Sequence, residues 1–261
     1  MKINYGLHHV DDKDIYFVKK SLKNNYLTQG HLVKKFERKL KDIFGGKYCL
    51  AVSSGTAALH LVGMISEWNK KDKIICSPNT FVASSNSIIY SNATPIFADI
   101  KNDNYNLDPN LCEDILKKKR IKAIIVTDYA GHPADWEDFF YLKKKYNIQL
   151  INDNCHAIGS KFKNKLNYAI KFADFVTMSF HPVKNITTGE GGAILLNDKK
   201  LFNKALQLRS HSIYRDNFLK KKKGMWYYDI KDLGFNYRLT EFQSALGISQ
   251  LDKLKKFIKK R

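Results

Sequence analysis

Lys184 lies in the stretch T-M-S-F-H-P-V-K-N-I-T-T-G-E-G-G, residues 177–192, among small, aromatic and turn-forming residues. Most of the 45 lysines and arginines of the chain lie in polar runs, and this one does not. An apolar run over 172–180 precedes it and another over 193–196 follows, so the pattern predicts a tight loop between two buried strands. A lysine held in such a loop can be desolvated, which favours the neutral, nucleophilic amine, and such amines form Schiff bases with carbonyl compounds. The competing reading is a lysine whose stem covers a strand end while its head stays in water.

Four other places can act with it. Ser54-Gly55-Thr56-Ala57 follows a short apolar run and opens a helical pattern, so its free amides and the helix dipole form an anion site, with the Thr56 hydroxyl as a further donor. An ordinary helix cap has the same residues. Phe81 follows the next strand and can lie against a flat ring, or can be a core aromatic. Asp153 stands just past the run 149–152, where a carboxylate can keep a ring nitrogen protonated, or can cap the turn that follows. His156, three residues on, can hydrogen-bond a ligand oxygen, or can be a capped polar residue. In chain order these are an anion cradle, an aromatic face, a carboxylate and a lysine, the set that a phosphorylated pyridine aldehyde requires. Neither G-x-x-x-x-G-K-[ST] nor G-x-G-x-x-G occurs, which counts against nucleoside triphosphates and dinucleotides.

The elements that must position these residues alternate. Helices are predicted over 10–23, 32–44, 57–68, 80–90, 109–119 and 136–146, and strands over 48–52, 73–76, 95–99, 122–127 and 149–152. Short strands between longer helices imply an α/β fold with a mostly parallel sheet covered on both faces. In such sheets ligands sit at the carboxyl ends of the strands, where all the candidate residues fall. A last helix is predicted over 240–260, and the lysine run 220–224 reads as a mobile surface segment.

Composition sets the outer limits. The 261 residues are 44% hydrophobic, enough for one large domain or two small ones. Four cysteines without C-x-x-C spacing read as reduced thiols in a cytoplasmic protein, with no metal site expected. No apolar run is long enough to cross a membrane and no signal segment is evident. The net charge of +20 raises an anionic partner. The lysines are spread over polar helix faces and loops without a nucleic-acid-binding signature, so no nucleic-acid or membrane partner is expected.

The segments S-S-G-T-A-A-L-H, P-N-T-F-V-A-S, I-N-D-N-C-H-A-I-G and S-F-H-P-V-K-N-I-T-T-G-E-G-G-A resemble the DegT/DnrJ/EryC1/StrS family of pyridoxal 5'-phosphate-dependent sugar-nucleotide aminotransferases, with the aspartate aminotransferase (type I) fold. The likeness runs from about residue 5 to the end of the chain. It implies that Lys184 carries the cofactor covalently, Asp153 pairs with the pyridine nitrogen, Phe81 stacks on the ring and His156 lies beside its phenolic oxygen. Thr56, Ala57 and Ser179 match the phosphate cradle, although Ala57 stands where serine is frequent. Asn236 matches an asparagine contributed by the neighbouring subunit, which implies a homodimer with shared active sites.

The pieces Y-L-T-Q-G, R-S-H-S-I-Y-R-D and L-G-F-N-Y-R-L-T-E-F-Q-S-A-L-G imply amination of the 4-keto carbon of a UDP-linked 6-deoxy-N-acetylhexosamine with L-glutamate as donor, as in pseudaminic acid biosynthesis. Tyr26, Gln29, Tyr129 and Arg215 are candidate contacts for the UDP-sugar. Family members continue for roughly another hundred residues as a small domain. The resemblance therefore assigns 1–240 to a cofactor-binding large domain with an N-terminal helical arm, and 241–261 to the start of a bridge helix toward a small domain that is largely absent. Two alternatives stay open: a catalytically impaired cofactor-binding scaffold, and a 4-keto-sugar aminotransferase for a different nucleotide sugar. The related sugar dehydratases replace the lysine with histidine, and Lys184 argues against them.

Overall fold

The computed structural model describes residues 6–214 and 224–260. Two helices, α1 (Asp12–Ser21) and α2 (His31–Phe44), lead into β1 (Tyr48–Val52) and α3 (Gly55–Ile65). Then come β2 (Lys73–Cys76), α4 (Ala83–Tyr90), β3 (Thr94–Phe97), α5 (Pro109–Lys118), β4 (Ala123–Thr127), α6 (Trp136–Tyr146), β5 (Gln149–Asp153), α7 (Tyr168–Phe172), β6 (Phe175–Ser179), β7 (Gly192–Leu196) and α8 (Lys199–Leu208). A two-residue pair, β8 (Ile213–Tyr214) with β9 (Asp229–Ile230), precedes α9 (Glu241–Asp252) and α10 (Leu254–Lys260).

The large sheet has the order β1-β7-β6-β5-β4-β2-β3. The β2–β3, β2–β4, β4–β5 and β5–β6 pairs are parallel, and β7 runs antiparallel to both β1 and β6. The carboxyl ends of β1, β2, β4, β5 and β6 therefore share one edge with the start of β7. Alternation along the strands feeds two cores. Ile75, Ile124, Val126, Leu150 and Val176 face Phe36, Trp136 and Phe139 on one side. Ile74, Ile125, Ile151, Phe175 and Ile194 face Leu59, Leu61 and Leu208 on the other. A sheet buried on both faces needs near-continuous apolar strands, and β4, β6 and β7 are buried at every position.

Several boundaries differ from the sequence reading. The run 172–180 is split, because Phe172 ends α7 and the strand begins only at Phe175. The helix expected from residue 80 starts at Ala83, leaving Phe81 in the loop. Asp153 is the last residue of β5, not a residue beyond it, since the ladder with β4 continues through Thr127 opposite Asp153. The helix expected over 240–260 breaks at Lys253, which is held by Asp11 and by the buried Asp14 of α1. The helices α7 and α8 had no counterpart in the reading. Residues 220–223 of the lysine run lie outside the described residues.

The start of α2 is satisfied from far away in sequence. Gly30 caps it without a side chain, and the buried Glu241 carboxylate accepts from Leu32 N at 2.9 Å and Val33 N at 3.0 Å. A Cβ at Gly30 would come within 2.5 Å of Glu241 Oε2, so glycine leaves room for the carboxylate. Glu241→Ala orphans both amides at a positive helix end and should destabilise the fold by about 2–4 kcal/mol, read as a lower urea midpoint at unchanged slope. Glu241→Gln, which keeps an acceptor, should lose less.

Candidate active site

The expected residues converge on the carboxyl edge of the sheet. Asp153 is buried at the end of β5, with 4% of its surface exposed. Its Oδ2 accepts from Ser84 Oγ of α4 at 2.7 Å, and its Oδ1 accepts from Cys155 N at 3.2 Å. Ser84 in turn lies 3.3 Å from Thr80 Oγ1, which is 3.0 Å from Thr127 Oγ1 at the end of β4. A chain of hydroxyls thus fixes the carboxylate from the side of β2 and β4. Asp153 closes the turn into Cys155, as its capping reading had it, and lies buried at the edge where the other candidates meet.

Lys184 follows β6 in the loop 180–191. The loop closes on itself through Lys184 N to His181 O at 2.9 Å, Thr188 N to Phe180 O at 3.0 Å and Thr187 Oγ1 to Phe180 O at 3.1 Å. Asn185 Nδ2 donates to Ile158 O at 2.6 Å, which ties the lysine loop to the turn after β5. Lys184 is half-buried, between the desolvated and the water-exposed readings of its loop. It also lines a small cavity with His8, His9, Gln250 and Phe257.

Two neighbours register the Lys184 and Asp153 charges together. Burial first, and then the Lys184 charge, push His156 below the usual histidine range, while Asp153 pulls the other way. Burial and Asp153 push the Cys155 thiol well up, against the pull of Lys184. Both charges thus reach His156 and Cys155. His156 also meets Tyr129 edge to face, with ring centroids 5.9 Å apart.

The anion cradle is built by close approach. Ser54 caps α3, its Oγ accepting from Ala57 N at 3.0 Å. Ala57 thus already gives its amide to the cap, whereas the Gly55 and Thr56 amides make no hydrogen bond among the described residues. A Cβ at Gly55 would lie 2.9 Å from Ser179 Cβ and 3.2 Å from Cys155 Sγ, so the cradle touches both the end of β6 and the turn after Asp153. On the other side, a Cβ at Gly192 would sit 2.4 Å from the Ser54 carbonyl oxygen and 2.7 Å from Gly55 N. Both are backbone atoms, so Gly192→Ala must displace the start of α3. That variant should weaken binding of a phosphorylated ligand about tenfold or more, measured by equilibrium titration. Binding at parent strength would show that the cradle is not where the phosphate rests.

The remaining expectations divide. Phe81 is 63% exposed three residues ahead of Ser84, which removes the core-aromatic reading and leaves a face open beside the site. Asn236 is exposed on a segment that runs beside the end of β1, through Val52 opposite Arg238 and Ser53 N to Tyr237 O at 2.9 Å. Tyr129 lies between His156 and an open cleft shared with Asn79 and Tyr105. Tyr26 and Gln29 are exposed in the loop before α2, and no hydrogen bond joins them to Lys184, Asp153 or His156 among the described residues. Arg215 lies outside the described residues. The reading missed Ser84, whose hydroxyl holds Asp153. A serine on a mid-chain helix carries no signal of its own, and only the tertiary hydrogen bond from the start of α4 to the end of β5 reveals it.

The DegT/DnrJ/EryC1/StrS aminotransferase family model matches residues 8–261. The chain belongs to this family. It is 41% identical over 262 residues, 99% of its length, to the UDP-4-amino-4,6-dideoxy-N-acetyl-beta-L-altrosamine transaminase of Campylobacter jejuni. Among solved structures, Helicobacter pylori PseC, an aminotransferase of pseudaminic acid biosynthesis, superposes with a TM-score of 0.88 at 35% identity, covering 98% of this chain and 66% of that one. The sugar aminotransferase Spr1654 of Streptococcus pneumoniae in its PLP form does so with a TM-score of 0.86 at 27% identity, covering 98% and 68%. The chain spans 65% to 66% of the length of these curated relatives. Among the described residues, no helix is long and apolar enough to cross a membrane.

Proposed function

We propose that this chain binds pyridoxal 5'-phosphate and transfers an amino group from L-glutamate to the 4-keto carbon of a UDP-linked 6-deoxy-N-acetylhexosamine. The observation that carries the reading is the buried Asp153 carboxylate, fixed by Ser84 and Cys155 N–H, within electrostatic reach of the same two residues as Lys184. The residues fit the cofactor: unpartnered amides at Gly55 and Thr56 suit its phosphate, Asp153 its ring nitrogen and Phe81 its ring face. When bound, the cofactor supplies an electron sink for the carbon that gains or loses the amine.

The chain's own groups then have defined tasks. Lys184 would hold the cofactor through Nζ, and as a free amine it would move the proton at the reacting carbon. Asp153 keeps the ring nitrogen protonated through its negative charge in a buried setting. His156, held neutral near pH 7 by burial and by Lys184, can give or accept a hydrogen bond at the ring oxygen without adding a second charge. Tyr129 and the cleft beside it receive the sugar nucleotide.

In this reading two copies share their sites, with the exposed Asn236 reaching the partner's phosphate. Residues 1–240 serve as the cofactor-binding large domain, and 241–261 begin the bridge helix.

Mixing the chain with pyridoxal phosphate should raise a visible absorption band. Borohydride should fix the adduct on the peptide carrying Lys184, as read by mass spectrometry. L-Glutamate should discharge the band, and the UDP-keto sugar should restore it. An adduct spread over surface lysines, with none on Lys184, would end this reading. A stable band that glutamate leaves untouched would reduce the protein to a cofactor-binding scaffold.

A further inference from the structure

Beneath the site lies a second carboxylate that no step above uses. Asp128 follows β4 directly and is fully buried. Its Oδ2 accepts from Tyr168 Oη at 2.6 Å, Asn152 Nδ2 at 2.8 Å and Asn154 Nδ2 at 3.1 Å. Its Oδ1 accepts from Ala134 N at 2.8 Å and Trp136 Nε1 at 2.9 Å. One side chain thereby gathers β5, the turn after it, α7 and the start of α6.

Where the donors sit matters more than their number. Asn152 and Asn154 flank Asp153, and successive side chains along an extended strand point to opposite faces. With both asparagines drawn to one side by Asp128, Asp153 must project to the other, where Ser84 meets it. The backbone on the near side is tied as well. Tyr129 N donates to Asn106 Oδ1 at 2.8 Å, and Gly131 N reaches Asp128 O at 3.3 Å. Ala130 between them has φ 51°, a left-handed conformation that a non-glycine residue keeps only when its surroundings hold it.

We infer that Asp128 is a positioning residue, which aims Asp153 and Tyr129 into the site by holding Asn152, Asn154 and the loop that follows β4. The inference rests on the proposed function for what the site does, but not for the geometry itself. Burial pushes the Asp128 carboxyl above the ordinary aspartate range, and its hydrogen bonds pull it back. The anion accepts from all five donors at once, and of these only the Tyr168 hydroxyl could turn to accept from a protonated carboxyl.

The test is Asp128→Asn, isosteric but presenting an amide NH2 to a ring of donors. In the cofactor-free chain, hydrogen exchange at the amides of 153–157 and of Tyr129 should quicken about tenfold or more, while β1 and β7 keep their protection. The dissociation constant for pyridoxal phosphate should rise about tenfold, and the pH midpoint of the bound-cofactor band should shift. The control is Phe139→Leu, a core change behind Trp136 that removes none of the groups hydrogen-bonded to Asp128 or Asp153. At an equal loss of Tm it should move none of these readouts.

Parent-like exchange and affinity in folded Asp128→Asn would overturn the inference, as would equal losses in the Phe139→Leu control. Should Asp128→Asn not fold, Tyr168→Phe removes a single donor and should weaken cofactor binding several-fold; parent-like binding there overturns the inference too. If the parent chain itself takes up no cofactor, the proposed function falls, and the exchange arm still decides the role of Asp128.

Discussion

Lys184→Ala should leave a folded chain that forms no borohydride-stable adduct at the 180–191 loop and loses turnover by on the order of 10^4-fold or more. The loop is closed by backbone bonds from Phe180, His181 and Thr188 and anchored by Asn185, none of which uses the lysine amine. The variant therefore separates chemistry from folding. It should still bind pyridoxal phosphate through the Thr56 cradle and Asp153, more weakly and without the shifted absorption band. A variant that still discharges its cofactor with glutamate at the parent rate would mean that another amine does the work.

Asp153→Asn should be nearly as damaging to turnover, and for a different reason. The asparagine oxygen can accept from Cys155 N–H, and the Ser84 hydroxyl can reverse its donor role to the new amide, so the local hydrogen bonds survive. What goes is the negative charge, and with it the force that keeps a proton on the ring nitrogen. The expected loss in kcat is on the order of 10^3-fold with a much smaller change in KM, since substrate contacts are untouched. His156 supplies an internal check. The Asp153 carboxylate raises its pKa against burial and Lys184, so removing the charge should drive the histidine still lower. NMR titration of the imidazole would report that direction, and a rise would contradict the shared environment of the two residues.

Much of the fold was legible because it depends on local periodicity. The runs 48–52 and 73–76 and the helix 136–146 match the structure at both ends. Turn chemistry and capping residues mark those boundaries, with Gly45 after α2 and Ser54 before α3. Legibility failed where tertiary contacts set the ends. Phe172 and Phe175 are both apolar, and only the packing of α7 on β5 and β6 decides that one is helical and the other extended. The break at Lys253 comes from a helix far away in sequence, whose Asp11 and Asp14 take the lysine head at the junction. The apolar flanks of Lys184 left open whether its head is buried or in water, since those flanks lie in the sheet while Lys184 itself is half-buried.

The sequence by itself determined the residue types at the strand ends, their order along the chain, and so the chemistry they can perform as a set. Periodicity and glycine placement are local properties, written residue by residue. Only the tertiary structure decided that Ser84 holds Asp153 and that Asp128 draws Asn152 and Asn154 to one face. Each of those depends on which helix packs over which strand. Such contacts join residues up to 69 positions apart, and no spacing along the chain encodes them.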